Sequence, residues 1–62
     1  MTFSDKIKRA REVAGFTQQQ LADQVGVSKR TIAAYESTDA KARPSTMRKL
    51  AEALGVSTDY LA

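Results

Sequence analysis

The sequence predicts an all-α domain made of five short helices. Apolar residues recur three and four positions apart along most of its 62 residues, and each of its three glycines follows such a stretch. The chain is expected to be one domain, residues 1–62. A domain of this size buries only about 60% of the surface that its unfolded form exposes, so its stability is expected to be modest.

The first predicted helix runs from Thr2 to Ala14, and Gly15 ends it. Its apolar face consists of Phe3, Ile7, Ala10 and Ala14. Arg11 lies beside this face, where its aliphatic stem can follow the edge of the core while the guanidinium stays in water.

The second predicted helix begins at Thr17. Thr17 and Gln20 have the spacing of a capping box, in which each side chain bonds the other residue's backbone N–H. The inward face then holds Leu21, Ala22 and Val25. Gly26 ends the helix, because a residue without a Cβ adopts the left-handed conformation cheaply.

A third helix, residues 28–36, follows the turn, with Ser28 as its N-cap and with Ile32 and Tyr35 facing inward. At about 100° per residue the outward face carries one cation and small residues. These are Arg30, Ala33, Ala34 and Ser37. Lys29 lies between the two faces. Two helices joined by a short turn that contains Gly form a helix-turn-helix, which places its second helix in the major groove of DNA.

Two further helices complete the prediction. Residues 37–43 form a loop, because they are mostly small or polar and lack apolar periodicity. Pro44 and a cap at Ser45 begin the fourth helix, and Gly55 ends it. The apolar stripe of that helix is Met47, Leu50, Ala51 and Leu54.

The fifth helix begins at Val56 and Ser57. Its residues Tyr60 and Leu61 either close the core or form part of a dimer surface. The predicted core consists of Ile7, Ala10, Leu21, Ala22, Val25, Val27, Ile32, Tyr35, Leu50, Leu54 and Leu61.

The chain resembles the helix-turn-helix family of lambdoid phage repressors, Cro proteins and XRE-type regulators. The matching positions of the central helices are Leu21, Ala22, Val25, Gly26, Val27, Ile32 and Tyr35, and the likeness extends over roughly Phe3 to Leu61. The chain departs from the family pattern after Glu36, where it lacks a glycine and has a longer loop. The resemblance implies a lambda-repressor-like fold and a transcriptional repressor that binds specific double-stranded DNA with helix 28–36. It also implies an ion pair between Arg11 and Glu36.

The candidate DNA-binding residues are Gln18, Ser28, Lys29, Arg30, Thr31, Ala33, Ala34, Lys41 and Arg43. Arg30 can donate two hydrogen bonds to O6 and N7 of a guanine, whereas Lys29 can reach a base edge or a phosphate. The alanines on the same face are either plain helix formers or contacts for a thymine methyl group. Gln18 combines a free first-turn N–H with an amide, and both suit a phosphate. The cations at 41 and 43 are either solvated loop charges or contacts to phosphate or the minor groove.

The charge distribution favours DNA as the partner. Ten Lys and Arg against seven Asp and Glu give a formal charge of +3, which is a mild excess. Its cations are concentrated, because residues 24–35 hold two cations and residues 41–49 hold four, and neither segment contains an anion. The alternative function is protein–protein interaction through the same third helix, and a neutral or acidic outward face would have favoured it.

Several other classes are not expected. The chain has no Cys and no His, so neither a disulfide nor a transition-metal site is predicted, and no cofactor is expected. The seven carboxylates are scattered without a nucleophile beside them, so the chain is not expected to be an enzyme. It also lacks both an apolar run long enough for a membrane span and a signal peptide, and a cytoplasmic location is expected.

One such domain reads too few base pairs to single out a genomic site. The sequence therefore predicts two copies on an inverted-repeat operator with half-sites about 10 base pairs apart. They either form a weak homodimer, mainly on DNA, or belong to a longer native protein whose further part dimerises.

Overall fold

Five helices are present in the computed structural model, which describes residues 1–38 and 42–62. They are α1 (Phe3–Ala14), α2 (Gln18–Val25), α3 (Lys29–Ser37), α4 (Pro44–Leu54) and α5 (Thr58–Leu61). No strand occurs within these two described segments. The all-α prediction and the order of its five helices are confirmed.

The caps predicted for α2 and α3 are present. At the start of α2, the Thr17 hydroxyl accepts from the Gln20 backbone N–H, and the Gln20 side chain accepts from the Thr17 N–H. At its end, Gly26 has φ 82°, and the N–H groups of Gly26 and Val27 both donate to the carbonyl of Ala22. This left-handed residue redirects the chain by a route that a residue with a Cβ would strain to follow.

The core lies where all five helices meet. Its buried apolar residues are Phe3, Ile7, Ala10, Leu21, Ala22, Val25, Ile32, Leu50, Ala51, Leu54 and Leu61. Val27 and Tyr35, which were predicted inside it, are only partly buried against it. The Tyr35 ring meets the edge of Phe3 with centroids 6.0 Å apart and planes at 74°, so its apolar ring packs on the core while its hydroxyl stays near water.

Two predictions about helix faces and ends are wrong. Ala14 is exposed, because it lies in the last turn of α1, after the buried part of its face. Ser45 is not the cap of α4: Arg43 occupies the N-cap, and Pro44 follows it inside the first turn. Pro suits this position because its φ is already helical and it has no N–H to leave unpaired.

The two residues named for the last helix differ in burial. Leu61 is fully buried and closes the core, whereas Tyr60 is 40% exposed. The Lys6 ammonium lies 5.8 Å from the centre of the Tyr60 ring and donates to the carbonyl of Ala62. Through Lys6, α1 thus holds the end of α5 against the domain.

Candidate nucleic-acid interface

Helix α3 is held by its inward residues and leaves a polar face in solvent. Ile32 is completely buried, whereas Lys29, Arg30 and Ala34 are exposed. We call these three exposed residues the reading face. The side chains of Lys29 and Arg30 form no hydrogen bond or ion pair with any residue in segments 1–38 and 42–62. Within the described segments, nothing holds either cation away from an external partner.

The two hydroxyls at the start of α3 are bonded to each other. The Ser28 hydroxyl accepts from the backbone N–H of Thr31 at 3.1 Å and lies 2.9 Å from the Thr31 hydroxyl. Ser28 therefore acts as the N-cap, and each hydroxyl has a partner within the protein. Their local role is to hold the first turn of α3, next to the reading face.

Hydroxyls at the other end of α3 also bond within the helix. Ser37 donates to the carbonyl of Ala33, and Thr38 donates to that of Ala34. The carbonyl of Thr38 in turn accepts from the buried Ser4 hydroxyl of α1. The C-terminal end of α3 is thereby tied to the start of α1.

A cluster of three polar side chains joins α1, α2 and α3. The Arg11 Nε donates to Glu36 Oε2 at 2.6 Å, and its Nη2 donates to Glu36 Oε1 at 3.2 Å. The third nitrogen, Nη1, donates to the carbonyl of Phe16 at 2.8 Å. The Gln18 amide then donates to Glu36 Oε1 at 3.2 Å. We call Arg11, Gln18 and Glu36 the Glu36 cluster.

The Glu36 cluster is shielded from water. The side chains of Arg11 and Glu36 are 13% and 5% exposed, and Arg11 is the cation of the one ion pair among the described residues. The hydrogen bond with Glu36 raises the pKa of Arg11 above its usual value, and burial opposes this only in part. The ion pair that the resemblance implies is thus present as a bidentate, largely buried contact.

Comparison with known proteins identifies the family. Residues 7–61 match the helix-turn-helix family model. The chain belongs to the helix-turn-helix family.

Similar sequences occur among regulators of Bacillus subtilis (strain 168). The helix-turn-helix chain is 37% identical over 59 residues to YonR, an SPbeta prophage-derived uncharacterized HTH-type transcriptional regulator. The match covers 95% of this chain and 55% of YonR. It is 33% identical over 61 residues to the HTH-type transcriptional regulator ImmR, with coverages of 98% and 48%. The chain thus spans about half the length of these relatives.

Solved structures show the same fold. The NMR structure of the DNA-binding domain of the P22 C2 repressor has a TM-score of 0.92 and 28% identity, over 98% of this chain and 80% of that one. The restriction-modification controller protein C.AhdI from Aeromonas hydrophila has a TM-score of 0.87, over 97% of this chain and 91% of its own. At 23% identity, this second likeness concerns the fold alone.

The structure brings together most of the residues predicted from the sequence. The predicted contacts at positions 28–31, 33 and 34 lie on α3 or at its cap, but the alanines differ in exposure: Ala34 is exposed and Ala33 only partly so. Arg43 is exposed at the start of α4. Lys41 lies outside the described residues.

Sequence reasoning missed the hydrogen bond between Gln18 and Glu36. Gln18 is half-buried at the start of α2, and its amide lies against Glu36 near the end of α3. These residues are 18 positions apart on two different helices, so helical spacing does not link them. The bond from the Thr31 backbone N–H to the Ser28 hydroxyl was predictable, since a capping Ser accepts at this spacing.

Two negative findings apply only to the described segments. No helix there has the length and apolar character needed to cross a membrane. The same residues contain no group of three or more Asp or Glu side chains arranged to hold a metal ion.

Proposed function

We propose that this helix-turn-helix chain is the DNA-binding part of a transcriptional repressor and that α3 reads specific double-stranded DNA in the major groove. The observation that carries the proposal is the reading face: Lys29 and Arg30 are exposed without partners in the described residues, beside the small Ala34. A helix with its side chains is about 10–12 Å across and the groove is about 12 Å wide, so α3 fits if its outer face is small.

The three residues of the reading face have different proposed roles. Arg30 presents a planar guanidinium that can donate two parallel hydrogen bonds to O6 and N7 of a guanine. Ala34 lets the helix approach the base edges and offers a methyl group to a thymine. Lys29, near the helix N-terminus, reaches a base edge or a phosphate. Ser28 and Thr31, whose hydroxyls bond each other, support this face and add at most secondary contacts.

Phosphate contacts are proposed for residues that come before and after α3 in the sequence. Gln18 begins α2, and Arg43 is exposed immediately before α4. Lys41 is proposed on its charge and its position in the chain alone. Contacts of this kind fix the orientation of the protein on the duplex and supply affinity without sequence preference.

The comparisons support the same function. The relatives in Bacillus subtilis are named as transcriptional regulators, and the similar domain of the P22 C2 repressor is named as DNA-binding. Because the chain covers about half of those regulators, an effector domain or a regulated gene is not assigned to it.

The test is selection of bound sequences from random duplexes, followed by titration of the selected site. Arg30→Ala is expected to lose about 1–3 kcal/mol on that site and to relax the preference at one base pair. Lys8→Ala, which removes an exposed cation of α1 outside the helix-turn-helix, is the matched control and should retain the preference. Equal losses for Arg30→Ala on selected and random DNA would remove Arg30 as a base reader.

Salt dependence separates this function from protein–protein interaction. Affinity for duplex DNA should fall by about 0.9 log unit per log unit of salt for each phosphate neutralised. A chain that selects no sequence, and whose affinity for duplex DNA does not change with salt, would count against DNA as the partner of α3 and favour the protein-interaction alternative.

We further propose that two copies bind an inverted repeat. The Cα atoms of one domain extend over 23 × 22 × 22 Å, so two domains fit side by side with recognition helices about 34 Å apart, one turn of DNA. The exposed Tyr60 ring on α5 is the proposed contact between them. Sedimentation of the chain with a selected site should give two chains per duplex, whereas a one-to-one complex on an asymmetric site would refute the dimer.

A further inference from the structure

The hydrogen bond from Gln18 to Glu36 connects a proposed phosphate contact to a buried carboxylate. We propose that Glu36 is a positioning residue for DNA binding: its carboxylate holds the Gln18 amide in the orientation that meets a backbone phosphate. The inference rests on the proposed function, because it assigns a second role to a residue behind the same interface.

The chemistry of the carboxylate fixes the orientation of the amide. An ionised carboxylate only accepts hydrogen bonds, so Gln18 must turn its nitrogen, and not its oxygen, toward Glu36. One hydrogen of Nε2 is used at 3.2 Å from Glu36 Oε1, and the other is left for a different acceptor. Gln18 is half-buried at the start of α2, where first-turn backbone N–H groups also lack intrahelical partners. A phosphate at this point can accept from both types of donor.

We call the hydrogen bond from Gln18 to Glu36 the anchor. Arg11 makes this anchor compatible with a nearby phosphate. A bare carboxylate close to the DNA backbone would repel it, but both oxygens of Glu36 accept from Arg11. The pair carries no net charge, so Glu36 can hold the amide without adding an uncompensated negative charge at the interface. The ion pair therefore has a function in binding besides its contribution to folding.

The anchor should raise affinity by ordering Gln18 before DNA arrives. A glutamine side chain loses more rotamer freedom than most when it is fixed, and that entropy is normally lost on binding. Here the order is imposed in the free protein by a side chain that is 5% exposed. Removing the anchor should weaken the Gln18 contact and leave the remaining contacts of the domain in place.

The experiment is a double-mutant cycle on affinity for the selected DNA site. Gln18→Ala is measured in the native chain and in Arg11→Met/Glu36→Leu, which replaces the ion pair by apolar side chains, at a temperature where circular dichroism shows every variant folded. In the native chain Gln18→Ala should weaken binding about tenfold, as expected for one hydrogen bond to a charged oxygen. In the apolar background the same change should alter affinity by less than about twofold, which is the error within which the effects of independent mutations add.

A neighbouring glutamine provides the matched control. Gln19 donates to Asp23 on the exposed side of α2 and lies outside the Glu36 cluster. Gln19→Ala should therefore leave affinity unchanged in both backgrounds. If Arg11→Met/Glu36→Leu does not fold, Arg11→Met/Glu36→Met, which likewise removes the acceptor and keeps two long side chains, takes its place in the cycle.

The outcomes separate this inference from the proposed function. Equal losses for Gln18→Ala in both backgrounds would overturn the positioning role of Glu36 while leaving DNA binding intact. No loss in a native chain that still binds its site would show that Gln18 does not contact a phosphate, and the inference would fail. A native chain that binds no duplex would remove the proposed function itself.

A spectroscopic measurement on the free protein tests the anchor without DNA. One side-chain amide proton of Gln18 should be shifted downfield of its free-glutamine position and exchange slowly with water in the native chain, because it is bonded to a buried carboxylate. Both properties should be lost in Arg11→Met/Glu36→Leu, which removes every acceptor at position 36, whereas those of Gln19 should not change. Free-amide shifts for Gln18 in the native chain would overturn the inference.

Discussion

Replacing Arg11 by methionine removes the cation that faces Glu36 while keeping a long side chain at the edge of the core. The Glu36 side chain is 5% exposed, and Gln18 is the remaining side chain that donates to it among the described residues. Breaking one partner of a buried ion pair costs about 3–5 kcal/mol, because the other charge stays buried and uncompensated. At about 0.05–0.15 kcal/mol per residue, the whole domain has only about 3–9 kcal/mol of stability. Arg11→Met is therefore expected to remove about a third of it or more.

The two halves of the pair should not be equivalent. Glu36→Gln leaves an oxygen to accept from Arg11, whose Nη1 also keeps its bond to Phe16, so a smaller cost of about 1–3 kcal/mol is expected. Arg11→Met/Glu36→Leu should recover much of the loss, since apolar replacement of a whole buried pair is often neutral or better. Urea unfolding of these variants gives the free energies directly. A coupling energy indistinguishable from zero between positions 11 and 36 would refute the reasoning.

Two further predictions concern the cap and the pH dependence. Ser28→Ala should lower the free energy of unfolding by about 0.5–2 kcal/mol through loss of the N-cap, yet leave base preference intact; Ser28→Asn, which can still cap, should cost less. A changed base preference would instead make Ser28 a base reader. The contribution of the ion pair should not vary between about pH 7 and pH 10, because a group with a raised pKa gives its full stabilisation below its unfolded pKa and loses it only as pH rises through the folded one. A cost of Arg11→Met that falls across this range in urea unfolding would contradict this.

Local signals in the sequence predicted the helices well because each is fixed by neighbouring residues. Thr17 and Gln20 begin α2, and Gly26 ends it, through bonds that span only a few positions. The prediction for the start of α4 was wrong because Pro44 and Ser45 both suit a helix N-terminus. Proline inside the first turn outweighed serine as a cap.

The site was predictable only as far as it follows helical periodicity. The reading face and the inward Ile32 follow from spacing along α3, whereas the bond between Gln18 and Glu36 depends on how α2 and α3 cross. The exposure of Ala14 has a similar origin, because the apolar face of α1 is buried only as far as Ala10. The spacing of residues along one helix does not show where that helix packs against the others.

The attachment of α3 has a consequence for how this protein can change over evolution. The helix is held by Ile32, by Glu36 through Arg11, and by the carbonyl of Thr38 through Ser4. None of these residues belongs to the reading face. Exposed positions without partners usually tolerate substitution within about 0.5 kcal/mol. New side chains at positions 29, 30 and 34 can therefore create a new binding preference in a single step, with no compensating change in the fold.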